Sequence, residues 1–181
     1  MRVLSLFDGA SCGRLALERV GVEVDTYLSS EVDRWAEAVA DSHYSDERLG
    51  DVRAVRRSKV GHVDLLIGGP PCQSFSVCGK RLEFDDRRGL LLLEWIRLFE
   101  ETNPTWFLME NVPMSKDCEE YITSQLGVEP IHLNSAWFSA QNRKRVYWTN
   151  IPREPSTKKT LNLSDIMDRK VTVSASMWAI K

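Results

Sequence analysis

Residues 63–73 read Val63-Asp64-Leu65-Leu66-Ile67-Gly68-Gly69-Pro70-Pro71-Cys72-Gln73. An apolar, strand-like run stops at two glycines and two prolines, and a cysteine follows at once. The diproline fixes the direction in which the chain leaves the strand. A cysteine held at the C-terminal edge of a strand in this way is placed like a nucleophile.

Outward from that strand the pattern alternates. Strands are expected at Val3–Phe7, Asp25–Ser29, Asp64–Ile67, Thr105–Met109, Pro130–Asn134 and Val146–Asn150. Helices are expected at Arg14–Val20, Val32–His43, Gly89–Glu101 and Lys116–Gln125. In the second helix Trp35, Ala36, Val39 and Ala40 share one face. Alternation of this kind predicts an α/β fold, a doubly wound, mostly parallel sheet with helices on both faces.

The 181 residues suit one domain with a sizeable core. No apolar run approaches membrane-spanning length, and the first residues read as a buried strand rather than a signal peptide. A cytosolic protein is expected. The four cysteines match no paired metal-binding spacing and the three histidines are scattered, so no metal is expected. The net charge of −2 does not by itself announce a nucleic-acid binder. Locally, Arg143, Lys144, Arg145, Arg153, Lys158 and Lys159 face one acid, Glu154. Lys80, Arg81, Arg87 and Arg88 are partly offset by Glu83, Asp85 and Asp86. Such a stripe can bind phosphates or simply be a solvated face.

In a doubly wound sheet, ligands sit beyond the carboxyl ends of the strands. The first strand ends in Phe7-Asp8-Gly9-Ala10-Ser11-Cys12-Gly13, where Gly9 and Gly13 permit a tight turn and close backbone approach. Glu31 follows the second strand and suits a pair of ribose hydroxyls. Asp51, after Gly50, suits an adenine amino group. Each alone is as well explained by a cap, a turn or a solvated charge. Together and in order they predict an adenosine-type cofactor. With no dinucleotide glycine motif and no phosphate-loop lysine, S-adenosylmethionine fits better than NAD or ATP.

Three groups carry the candidate reaction. Cys72 needs a raised thiolate fraction and exposure, and its loop setting argues against a buried strand cysteine. Glu110 ends the apolar strand Trp106-Phe107-Leu108-Met109, where partial desolvation would raise its pKa and make it a general acid. A capping carboxylate explains it equally well. Arg143 and Arg145, two apart in an extended stretch, point the same way, with Lys144 opposite. That suits one phosphate or carbonyl target, or a charged strand edge.

With these residues together, the chain resembles the C5-cytosine DNA methyltransferases over roughly residues 1–150. The motifs are Asp8-Gly9…Gly13, Glu31, Asp51, Gly69-Pro70-Pro71-Cys72-Gln73, Arg88-Gly89-Leu90, Glu110-Asn111-Val112 and Gln141…Arg143…Arg145. The resemblance implies a Rossmann-like, class I S-adenosylmethionine-dependent methyltransferase fold. It implies cofactor contacts from Phe7, Asp8, Gly9, Gly13, Glu31, Val32, Asp51, Val52, Pro70 and Leu90. It implies catalysis by Cys72, Glu110, Arg143 and Arg145 on a flipped cytosine. Contacts to double-stranded DNA would come from Gln73, Ser74, Ser76, Lys80, Arg81, Gln141, Arg143 and Arg145. The loop from Gln73 to Arg88 would close on DNA. The implied setting is the cytoplasm of a bacterial or phage-infected cell, or the nucleus of a eukaryote.

Residues 1–150 are expected to form the catalytic domain. Residues 151–181 are expected to be a linker and the remnant or start of a target-recognition region. They are too short for the family's usual C-terminal parts, so the chain is expected to be a fragment, one subunit of a split enzyme or a minimal form. In the first two cases a missing C-terminal segment or a second subunit carries target recognition. Two other readings compete: a non-catalytic regulatory or DNA-binding subunit of a split enzyme, and a tRNA cytosine-5 methyltransferase. The Cys-Phe-Thr element of the tRNA subgroup is absent.

Overall fold

The computed structural model describes residues 1–71 and 89–152. The strands are β1 (Arg2–Leu6), β2 (Thr26–Ser30), β3 (Glu47–Arg48), β4 (Leu65–Gly68), β5 (Trp106–Asn111), β6 (Ile131–Asn134) and β7 (Lys144–Thr149). The helices are α1 (Cys12–Arg19), α2 (Arg34–Asp41), α3 (Arg57–Val60), α4 (Gly89–Thr102) and α5 (Lys116–Leu126). The sheet order is β3-β2-β1-β4-β5-β7-β6. All pairings among β1 to β5 are parallel, whereas β7 lies antiparallel between β5 and β6. The expected doubly wound, mostly parallel fold is the one observed.

Side-chain alternation sorts the strands into two faces. On one face Leu4, Leu6, Leu28, Leu66, Phe107, Met109, Val146 and Trp148 form a continuous core. Against it pack Val52, Val55 and Val60, then Trp95, Ile96 and Leu98 of α4, and Ile122 and Leu126 of α5. Trp95, Phe99 and Phe107 stack and meet edge-on within it. Each such side chain contributes about 1.5–3 kcal/mol by leaving water. The other face holds a small cluster of Val3, Tyr27 and Leu65, covered by Leu17 of α1 and by Val24, Ile67 and Trp106.

Where the structure departs from the sequence expectation, the reasons are local. The second helix is confined to Arg34–Asp41 because Asp33 caps it, accepting from the backbone N–H groups of Trp35 and Ala36. Of its expected apolar face only Ala40 is buried; Trp35 is 70% exposed, with Arg34 over its ring. β3 and α3 are too short to leave a periodic signal. The expected strand boundaries shift by a residue or two.

Candidate active site

The carboxyl ends of β1, β2, β4 and β5 converge on one edge, and two cavities open there. The first, about 490 Å³, is lined by Phe7, Ser30, Glu31, Val32, Asp51, Val52, Arg53, Gly69, Pro71 and Leu91. That size suits a nucleoside. Glu31 is fixed by three backbone donors. Its Oε2 accepts from the Gly9 N–H at 2.8 Å, and its Oε1 from Val32 and Asp33 at 2.8 and 2.9 Å. Asp51 caps a 3₁₀ turn, Val52–Ala54, accepting from the Arg53 N–H. The Arg53 side chain closes on the same carboxylate and holds it below the usual carboxylate range. Two acids and one already paired guanidinium line this cavity, which disfavours a polyphosphate and suits a cationic ligand.

Several sequence-expected residues contribute differently than anticipated. The Asp8 side chain is only 1% exposed and does not line this cavity; Asp8 borders the second, adjoining one instead. Gly13 packs α1 against β4; a Cβ there would lie 2.5 Å from Ile67 Cδ1. Pro70 is buried, and its neighbours Gly69 and Pro71 line the cavity instead. Leu90 is 40% exposed, and Leu91, about 100° further round α4, lines the cavity in its place.

The second cavity, about 600 Å³, adjoins the first: Phe7 and Gly69 line both. Glu110, Arg143 and Tyr147 line its far side, with Leu17, Ile67 and Leu108 as its apolar floor. Glu110 leaves β5 on the same face as Arg145 and Tyr147 of β7, because Glu110 pairs with Tyr147 in the antiparallel ladder. Arg145 Nε donates to Glu110 Oε1, and its Nη1 donates to the Lys144 carbonyl. Burial, with Glu110 nearby, raises the Tyr147 phenol above its ordinary range. Lys144 is exposed, and Gln141 sits in the exposed approach to β7.

Where β4 ends, Gly68 admits no side chain and Gly69 leaves little room for one. A Cβ on Gly68 would lie 2.3 Å from the Leu6 carbonyl oxygen, and one on Gly69 would lie 2.9 Å from Glu110 Oε2. Buried Asn111 donates from Nδ2 to the Pro70 carbonyl at 3.2 Å, tying the end of β5 to the diproline. Arg53, Tyr147 and Leu91 are site residues that the sequence did not single out, and Asn111 was quoted only within the Glu110-Asn111-Val112 motif, with no role of its own. Cys72, Gln73, Ser74, Ser76, Lys80, Arg81 and Arg88 lie outside the described residues, as does everything from Arg153 to Lys181.

Residues 1–180 match the family model of C-5 cytosine-specific DNA methylases. The chain belongs to that family. Among curated members it is 37% identical over 161 residues to the orphan methyltransferase M.Rho11sI of Bacillus phage rho11s, covering 81% of this chain and 32% of that protein. It is 31% identical over 203 aligned positions to the type II methyltransferase M1.ScrFI of Lactococcus lactis subsp. cremoris, covering 98% of this chain and 52% of that protein. The chain thus spans a third to a half of the length of these methylases. A crystal structure described as a DNA modification methyltransferase encoded within an E. coli prophage shares the fold. It has a TM-score of 0.73 at 23% identity and covers 91% of this chain and 53% of that one.

Proposed function

We propose that this chain is the catalytic and cofactor-binding part of a DNA (cytosine-5-)-methyltransferase. The observation that carries the reading is the pair of adjoining cavities. One is nucleoside-sized with two carboxylates; the other holds Glu110 and Arg143; Pro71, one residue before Cys72, borders the first.

The first cavity would hold S-adenosylmethionine, with Glu31 for the ribose hydroxyls and Asp51 for the adenine amino group, and the cofactor would supply a methyl group on a sulfonium. The target cytosine must leave the duplex to reach the second cavity. There the Cys72 thiolate adds to C6, and the released electron density is drawn toward N3, which Glu110 protonates or hydrogen-bonds. Arg145 holds Glu110 in place, and Arg143 provides a second positive group for the cytosine carbonyl or a flanking phosphate. C5 would then be nucleophilic and would take the methyl group as the S–CH3 bond breaks, the sulfonium leaving as the neutral thioether S-adenosylhomocysteine. Loss of the C5 proton expels the Cys72 thiolate and restores the 5,6 double bond, giving 5-methylcytosine. Target recognition belongs to a further segment or subunit, and the bacterial or phage-infected cytoplasm is the proposed setting.

A covalent trap tests this. Duplexes carrying 5-fluorocytosine have no C5 proton to lose, so the Cys72 adduct accumulates. The natural protein, supplied with S-adenosylmethionine and any partner it needs, gives a DNA-linked species on denaturing gels. Cys72→Ser abolishes it. Absence of an adduct from the unaltered protein overturns the reading.

A further inference from the structure

Beside the second cavity, which Ser5 and Asp8 help to line, lies a buried polar cluster that the proposed reaction does not use. The Asp8 carboxylate accepts from Ser5 Oγ at 2.6 Å, from Tyr27 Oη at 2.7 Å and from Ser11 Oγ. Arg48 Nη1 lies 3.4 Å from Asp8 Oδ2, and Arg48 is the one cation within ion-pair reach of it among the described residues. Arg48 itself is held by Ser29 Oγ at 2.6 Å and by Asp41 at 2.9 Å. Parallel pairing with β2 sets it in register beside Ser29. A carboxylate so buried needs its charge met and its lone pairs filled.

The cluster also governs backbone shape. Phe7, Gly9 and Ser11 all have positive φ, between 56° and 57°. For phenylalanine and serine this is a strained conformation that the surroundings must enforce. Ser11 occupies the N-cap of α1, yet its hydroxyl caps nothing and goes to Asp8 instead. The product of this geometry is the Gly9 N–H aimed at Glu31 Oε2.

We infer that Arg48 and Asp8 form a positioning pair for the cofactor cavity: the ion pair locks the Phe7–Ser11 turn, and the turn holds Glu31 in its binding orientation. The inference rests on the proposed cofactor reading. Asp8 then acts through the turn and does not touch the cofactor with its side chain. Lysine in place of Arg48 keeps the charge but loses part of the fork that reaches Asp8, Ser29 and Asp41 together.

The test is calorimetric binding of S-adenosylhomocysteine to the full chain, with folding checked by thermal melting. Asp8→Asn and Arg48→Met each weaken binding by about tenfold or more, because Arg48→Met leaves the buried Asp8 carboxylate without a counter-ion and Asp8→Asn removes the charge on which Arg48 and three hydroxyls converge. The double variant binds no more weakly than the weaker single, since both remove the same coupling. Arg48→Lys recovers part of the affinity. Should Asp8→Asn or Arg48→Met fail to fold, Ser11→Ala removes one Asp8 donor, keeps the charge pair and weakens binding by about threefold. Wild-type affinity in the folded variants, or fully additive losses in the double variant, overturns the inference. Failure of the unaltered protein to bind overturns the cofactor reading itself, and this inference with it.

Discussion

The two faces of the sheet are built for different work. The face under α4 and α5 buries Trp95, Trp148, Leu66 and Met109 completely. The opposite face carries a three-residue cluster and, beyond α1, the open cavity with Glu110, Arg143 and Tyr147. The same strands make both. Met109 and Glu110 are neighbours in β5, as are Trp148 and Tyr147 in β7, and a one-residue step moves a side chain from core to chemistry. Among the described residues, stability is thus concentrated away from the proposed reacting groups, and Glu110 and Arg143 sit on the open cavity.

That contrast can be broken by mutation. Trp148→Ala is expected to destabilise the protein by about 3–5 kcal/mol, read from urea unfolding. A loss no greater than that of an open-face residue would end the distinction. Glu110→Gln should leave the melting temperature nearly unchanged and lower methyl transfer by about 10²-fold or more, measured under saturating S-adenosylmethionine and DNA. Leu108→Ala, on the floor of the open cavity, should cost about 1–2 kcal/mol, well below the Trp148 change, because its surroundings can relax into the cavity.

The smallest effect concerns pH. Burial, then the nearby Asp8 carboxylate, raises the Tyr27 phenol far above its ordinary range. Its folded pKa exceeds the unfolded value near 10. Stability from this group is therefore complete below about pH 10 and falls as pH rises above it. Tyr27→Phe should flatten that alkaline limb in pH-dependent unfolding, at a cost of about 1 kcal/mol near neutrality for the lost hydrogen bond.

Much of the fold was readable because strands and helices alternate along the sequence with clear periodicity. Insertion of β7 between β5 and β6 was not, since nothing in residues 131–149 encodes which neighbour each strand takes. The apolar stripe of α2 misled for a related reason: Trp35 and Val39 repeat at helical spacing, yet no described element covers them. At the site, Glu31, Asp51, Glu110 and the arginines were legible as acids and bases at strand ends. The inward turn of Asp8 was not, because its counter-ion Arg48 lies 40 residues away on a two-residue strand. Asn111 was hidden by its neighbour, an acid that drew the chemical reading to itself.

The strand order has a consequence for synthesis. β7 is the last described strand to be made, and it enters between two that precede it. Until residues 144–149 leave the ribosome, β5 presents a bare edge of unpaired backbone groups, the kind that recruits other chains. Arg145 arrives on that same strand. Glu110 therefore waits for its guanidinium until translation of the described sheet is finished, and a nascent chain that stops short of it carries the proposed reaction centre unassembled.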